Sequence, residues 1–270
     1  MLASIINGKI GTKISINDRS FLYGDGLFET ILLKNNQPIF FQEHLDRLEK
    51  GMNILNINML DNFIHNLKLE VYEFIDGFVD AVLKIIVTRG ESQRGYGFDE
   101  NIQPNVILQL FNLPTIKKNS LHVTICHNKL PTEPFYNGIK HNNRLPQIIA
   151  RLQAQKLNMD EGIMLDEDDN IICATSANLF VIKDQITLTP KLNKCGIHGI
   201  TSAKILDILS VKGYNISICN IKIGDILKSN GCFATNSIMG IRQISHIDGF
   251  EIPTNNNIFL EINQQYENLF

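Results

Sequence analysis

An α/β (α+β) fold of two domains is what this 270-residue sequence predicts. Three observations carry that prediction. Strand and helix signals are interleaved in both halves, a polar stretch separates the halves, and the length suffices for two cores. The separating stretch is "LPTIKKNS", which sets a linker at 114–120 between a first domain, 1–113, and a second, 121–270.

In the first half, "MLASIING" and "KIGTKISI" read as two short strands around a turn at Asn7-Gly8. The Gly-rich "YGDGLFETILL" ends as a strand. In "PIFFQEHLDRLEKGMNILNI", Phe41, Leu45, Leu48, Met52 and Leu55 recur at helical spacing and make one apolar face. Leu60, Ile64, Leu67, Val71 and Phe74 predict a second helix. "AVLKIIVTRG" and "NVILQLFNL" are strands by their β-branched content.

The second half opens with the strand "LHVTICHN". "RLPQIIARLQAQKLN" is a helix with Pro146 in its first turn, where proline is tolerated. "EGIMLD", "NIICAT", "NLFVIKD" and "QITLTP" are short strands. "GITSAKILDILSVKG" is a helix stopped by Gly213. "YNISICNI" is a strand, "IGDILKSN" a short helix, and "GCFATNSI" a final buried strand.

Hydrophobic residues at 44% and charged residues at 20% fit a globular protein. A net charge of −3 leaves no basic excess for nucleic acid, so no nucleic-acid partner is expected. The apolar run "FVDAVLKIIV" is short and broken by Asp80 and Lys84, so no membrane partner is expected either. Cys126, Cys173, Cys195, Cys219 and Cys232 lack metal spacing and are odd in number. With an N-terminus that does not read as a secretory leader, they point to reduced thiols and a cytoplasmic location.

Five places could carry chemistry. Lys140, in "YNGIKHNNRL", is either a solvated charge or an amine placed for covalent chemistry. Pyridoxal phosphate is the common cofactor that uses such a lysine, and its phosphate needs a cup. "HGITSAKIL" makes a cup if the N–H groups of Ile200 and Thr201 face an anion, or else Gly199 merely caps a helix. Arg47, in "HLDRL", is a snorkelling arginine or a phosphate clamp. "FATNSIMG" puts Asn236 and Ser237 at a strand end, which suits an anion or any turn. Arg89 and Arg94, in "VTRGESQRGYGF", hold a dicarboxylate or form a solvated loop.

"YGDGLFET", "HLDRL", "TRGESQRGY", "KHNNRL", "SANLF", "GIT" and "TNS" occur in this order from about Ile6 to about Ile244. Their ordered combination resembles the fold-type IV pyridoxal-phosphate enzymes, also called class IV aminotransferases. The resemblance implies a cofactor in an interdomain cleft and a homodimer acting on a small molecule. It implies that Lys140 is the Schiff-base lysine, carried by the second domain, and that Arg47, Ile200, Thr201 and Ser237, with Asn236 beside it, hold the phosphate. "TRGESQRGYG", "KHNNRL" and Thr30 look most like the aminodeoxychorismate lyase branch. That branch is a group of carbon–oxygen lyases which make 4-aminobenzoate, a folate precursor, and pyruvate from 4-amino-4-deoxychorismate. The implied catalytic residues are Lys140 and Thr30, and the implied substrate contacts are Arg89, Arg94 and Tyr23.

At one position the sequence departs from the family. A glutamate usually stands five residues before the asparagine of "NLF" and pairs with the cofactor's pyridine nitrogen. Here that position is Cys173, which cannot hold the proton as a carboxylate does. Another group substitutes, or the ring is a weaker electron sink, or the chain is a degenerate member; a thiol that only fills space is also consistent. Two alternatives therefore stand beside the lyase: a D-amino-acid or branched-chain aminotransferase of the same fold, and a non-catalytic binding protein.

Overall fold

The computed structural model describes residues 1–115, 120–254 and 256–270. Residues 116–119 of the expected linker lie outside the described residues. The chain divides into two compact units, Met1–Thr115 with Ile139–Asn143, and Ile116–Gly138 with Arg144–Phe270. Both units mix strands and helices, as the sequence predicts.

The first unit is built on an antiparallel sheet. Its strands are β1 (Ala3–Ile6), β2 (Lys9–Ile10), β3 (Gly26–Lys34), β4 (Gln37–Pro38), β5 (Ala81–Thr88) and β6 (Asn105–Phe111), in the order β2-β1-β6-β5-β3-β4. Three helices accompany it: α1 (Arg19–Tyr23), α2 (Phe41–Ile54) and α3 (Phe63–Phe74). Strand β3 alternates strictly after its first residue: Leu27, Glu29, Ile31 and Leu33 are buried, and Phe28, Thr30 and Leu32 only partly so. The buried row meets Leu45, Leu48 and Met52 of α2 and Leu67 and Val71 of α3 in one core. A Cβ at Gly51 would lie 2.9 Å from Leu27 Cδ1, so glycine there lets α2 sit close on the strand.

Lys140 groups with this first unit, whereas the division at 114–120 put it with the second half. The reason is local pairing. Residues 139–143 run beside β3: Phe28 N donates to Lys140 O at 2.9 Å and Asn142 N to Gly26 O at 2.9 Å. Ile139 is buried in the first core.

The second unit has β7 (Leu121–Ile125), β8 (Glu161–Leu165), β9 (Ile171–Ala174), β10 (Asn178–Lys183), β11 (Ile186–Pro190), β12 (Asn215–Cys219), β13 (Gly231–Asn236), β14 (Gly240–Ile247) and β15 (Phe250–Glu251). Its curled sheet runs β12-β11-β10-β13-β14-β7-β8-β9, with β15 on β14. Parallel neighbours need long crossovers. Helix α4 (Leu145–Lys156) lies between β7 and β8 in the chain, and α5 (Ile200–Val211) between β11 and β12. Helices α6 (Ile223–Leu227) and α7 (Asn257–Glu267) complete the unit. Phe180 and Phe233 stack at 5.0 Å, and Phe259 of α7 meets Phe233 edge-on.

Elements near both ends of the chain were not expected from sequence. "GCFATNSI" is not the final strand, because β14, β15 and α7 follow it. Helix α1 sits just before the Gly-rich stretch, where no element was expected. Its cap is Asp18, whose side chain accepts from Ser20 N and Phe21 N.

Candidate active site

In the first unit, the face of β3 that carries Phe28 and Thr30 gathers two amines. Lys140 Nζ lies 4.3 Å from the centroid of the Phe28 ring, and Lys84 Nζ lies 5.3 Å from the same centroid. Thr30 pairs directly with Lys84 across the β3–β5 ladder. Burial holds the Lys84 ammonium below its ordinary pKa. The Lys140 backbone is fixed by its pairing with β3. The following asparagines anchor it further: Asn142 Nδ2 donates to Ser20 Oγ at 2.7 Å and Asn143 Nδ2 to Gly24 O at 3.0 Å. Lys84 was not singled out from sequence. Only the register that sets it opposite Thr30 brings it to this face.

The other face of β3 carries Glu29, which is buried with Arg47 and His44 of α2. Arg47 Nε donates to Glu29 Oε1 at 2.8 Å and its Nη2 to Oε2 at 2.6 Å. His44 Nδ1 lies 2.7 Å from Glu29 Oε2. Burial alone would raise the Glu29 carboxyl, but the Arg47 charge and the hydrogen bonds from His44 and Arg47 outweigh it and bring it to about 2. Burial also lowers the His44 pKa, against Glu29 and with help from Arg47 and Lys140. His44 is therefore neutral near pH 7 and donates Nδ1–H to an ionised carboxylate.

Near the start of β3, Asp25 collects two arginines. Arg19 Nε donates to it at 2.9 Å and Arg89 Nε at 2.7 Å. Arg89 gives a second bond to Asp25 and bonds to the carbonyls of Leu55 and Asn56. Four of its five N–H donors thus serve the protein itself. Tyr23 Oη accepts from Gly95 N at 3.1 Å, and its ring packs on Tyr96 at 5.5 Å. Tyr23 therefore anchors the loop that carries Arg94, whose side chain is exposed. Arg19 stitches the same loop through Ser92 Oγ and the carbonyls of Gly95, Tyr96 and Gly97.

In the second unit, α5 starts at the N-cap Gly199 with no side-chain cap and no acidic residue in its first turn. Ile200 and Thr201 are buried there, and Thr201 Oγ1 lies 3.5 Å from Tyr266 Oη. Uncapped N–H groups at a helix start suit an anion. A Cβ at position 199 would stand 1.9 Å from Asn178 Oδ1. Asn178 Nδ2 in turn donates to Ile197 O at 2.9 Å, so the asparagine shapes the approach to α5. The Asn236 side chain builds the turn after β13: its Oδ1 accepts from Ile238 N and Met239 N, and its Nδ2 donates to Ser176 O. Ser237 rides on that turn, half-buried.

Cys173 lies in β9 opposite Met164. Its thiol is pushed up to about 12, by burial first, then by Cys195 and Glu161, so it is neutral. The acidic residues near Cys173 in the chain already have partners. Asp166 builds the β8–β9 turn by accepting from Asp168 N, Asn170 N and Asn170 Nδ2. Asp168 and Asp169 pair with Lys194 and Lys129. Buried Glu161 accepts from Gly162 N, Thr175 N, Thr175 Oγ1 and Ser176 Oγ. Among the described residues no group of three or more His, Cys, Asp or Glu is placed to hold a metal ion.

Residues 26–247 match the family described as Amino-transferase class IV. The chain is 30% identical to the aminodeoxychorismate lyase of Vibrio harveyi, over 91% of this chain and 92% of that protein. It is 25% identical to a putative branched-chain-amino-acid aminotransferase of Methanocaldococcus jannaschii, over 98% and 94% of the two chains. Among solved structures, 4-amino-4-deoxychorismate lyase from Pseudomonas aeruginosa superposes with a TM-score of 0.92 at 29% identity, covering 98% of each chain.

Proposed function

Because the chain belongs to the amino-transferase class IV family, we propose that it is a pyridoxal-phosphate-dependent lyase converting 4-amino-4-deoxychorismate to 4-aminobenzoate and pyruvate. The observation that carries this reading is the β3 face on which the Lys140 amine, Thr30 and Lys84 surround Phe28.

The residues fit the cofactor. Its aldehyde needs an amine, supplied by Lys140. Its phosphate needs N–H donors, and Arg47 and the uncapped start of α5 at Ile200 and Thr201 offer them, with Ser237 adding a hydroxyl. Asn236 contributes by building the turn under Ser237. When bound, pyridoxal phosphate supplies a carbonyl that condenses with amines and a ring that accepts electrons.

The chain's own groups then do the proton work. The free Lys140 amine takes the proton from the substrate carbon that bears nitrogen. The bond to the enolpyruvyl oxygen breaks as the carbocycle becomes aromatic. Thr30, on the Lys140 face, relays a proton to the methylene carbon of the departing group, which leaves as pyruvate. Lys84 and Arg94 are the cations for the two substrate carboxylates. Tyr23 acts by holding the Arg94 loop.

The neutral Cys173 thiol supports the lyase over amino transfer, because aromatisation drives elimination without demanding a strong electron sink. A second reading, an aminotransferase, is favoured by the likeness to the branched-chain relative. We also propose a cytoplasmic homodimer. Helix α4 supports the dimer, since Leu145, Ile148, Ile149 and Leu152 form an exposed apolar stripe at helical spacing. The test of the activity is pyruvate release from aminodeoxychorismate. Wild type should release it and Lys140→Ala should not. Amino transfer from D-alanine or L-leucine without pyruvate release would favour the second reading.

A further inference from the structure

Glu29 is a carboxylate in a place that otherwise takes only aliphatic side chains. Its neighbours in the buried row of β3 are Leu27, Ile31 and Leu33. Burying an ionised group there is unfavourable unless every lone pair finds a partner. Both oxygens do, and Arg47 Nε, Arg47 Nη2 and His44 Nδ1 all come from one face of α2. His44 and Arg47 are three residues apart, so their side chains lie side by side on the helix. Glu29 and His44 are each 1% exposed, and Arg47 is 11% exposed.

This arrangement orients Arg47. Glu29 takes the Nε and Nη2 edge of the guanidinium with both oxygens, which sets the plane of the fork as well as its position. His44 closes the other side of Oε2 and, being neutral, adds direction without adding charge. An arginine on a flexible stem loses much side-chain freedom when it grips an anion. A guanidinium already held in place has lost that freedom before the anion arrives. Stability alone explains the cluster poorly, because a buried ion pair is often no more stabilising than aliphatic side chains of similar volume.

We propose that Glu29 and His44 are positioning residues that hold the Arg47 guanidinium for the phosphate of the cofactor. The proposal rests on the assignment of Arg47 to that phosphate.

The test compares dissociation constants for pyridoxal 5'-phosphate and for pyridoxal, which has the aldehyde but no phosphate. The proteins are wild type, Glu29→Gln, Arg47→Lys, the double variant and His44→Gln. Glu29→Gln is expected to weaken the phosphate ester about 10- to 100-fold, the usual effect of removing a group that orients a ligand-binding side chain, and to leave pyridoxal within about 2-fold. His44→Gln keeps the ion pair and should show the same selectivity at about 3- to 10-fold, which keeps the test open if Glu29→Gln does not fold. The double variant should bind the phosphate ester no worse than Arg47→Lys alone, because Glu29 acts through Arg47. Equal weakening of both ligands by Glu29→Gln or His44→Gln, or fully multiplicative losses in the double variant, would overturn the proposal. If Arg47→Lys itself fails to separate the two ligands, the Arg47 assignment is wrong and the proposal goes with it. If Arg47→Lys separates them and the Glu29 and His44 variants do not, only the positioning role is lost.

Discussion

Lys140 and Phe28 are joined twice. The Phe28 amide donates to the Lys140 carbonyl at 2.9 Å, and the Lys140 amine lies 4.3 Å from the centre of the Phe28 ring. The backbone bond sets where the side chain starts, and the ring sets where it ends. An amine held at both ends loses little freedom on reacting, which is what a covalent role requires.

Lys84 shares the Phe28 ring and stands opposite Thr30. If it meets a substrate carboxylate, Lys84→Gln should raise KM for aminodeoxychorismate by about 10- to 100-fold, as loss of one charged hydrogen bond implies, with a smaller change in kcat. An unchanged KM in steady-state assays would remove Lys84 from the site.

Cys173 is predicted to limit amino transfer. Cys173→Glu should increase conversion of the bound cofactor to its amine form by amino acids, followed by absorbance. No increase in a variant that still binds the cofactor would count against this account of the thiol.

The acid side of the stability profile follows from two buried groups. His44 is lowered from 6.5 and Glu29 is lowered from 4.5 to about 2. Each binds protons more readily in the unfolded chain, so its contribution is present above the unfolded value and lost as pH falls. Melting temperature should begin to fall below about pH 6.5 and fall more steeply below about pH 4.5. His44→Gln should remove the first part of the decline. A wild-type melting temperature that stays constant from pH 7 to pH 3 would contradict both assignments.

Gly199 is needed for close contact and not for an unusual backbone angle, since its φ is −72°. Gly199→Ala would force a methyl against Asn178 Oδ1 and should cost about 1–3 kcal/mol of stability, the usual range for overpacking, and weaken cofactor binding. Denaturant melts that overlay wild type would show that the loop yields freely.

The apolar stripe on α4 makes the dimer testable. Ile148→Asp combined with Leu152→Asp should give monomers by light scattering at micromolar concentration. A double variant that stays dimeric would place the interface elsewhere.

Much of the fold was legible because the amphipathic periods are strong. The spacing of Phe41, Leu45, Leu48 and Met52 finds α2, and Gly213 marks the end of α5 closely. Helix α7 was missed although Ile258, Phe259, Ile262 and Tyr266 have helical spacing, because the asparagine-rich run before it reads as a loop. At the site, ordered motifs pointed to Lys140, Arg47 and the start of α5. The role of Arg89 was not legible, since its partner Asp25 lies 64 residues away and only the β3–β5 pairing brings them together. Lys84 escaped for the same reason: a lysine within a strand carries no sign of which residue it will face.

Whether the Lys140 amine bonds the aldehyde of pyridoxal phosphate is most directly tested by borohydride reduction of the cofactor-saturated protein, followed by peptide mapping. A single phosphopyridoxyl label is expected on Lys140, and none in Lys140→Ala. A label on Lys84 or another lysine, or no label on cofactor-saturated wild type, would contradict it.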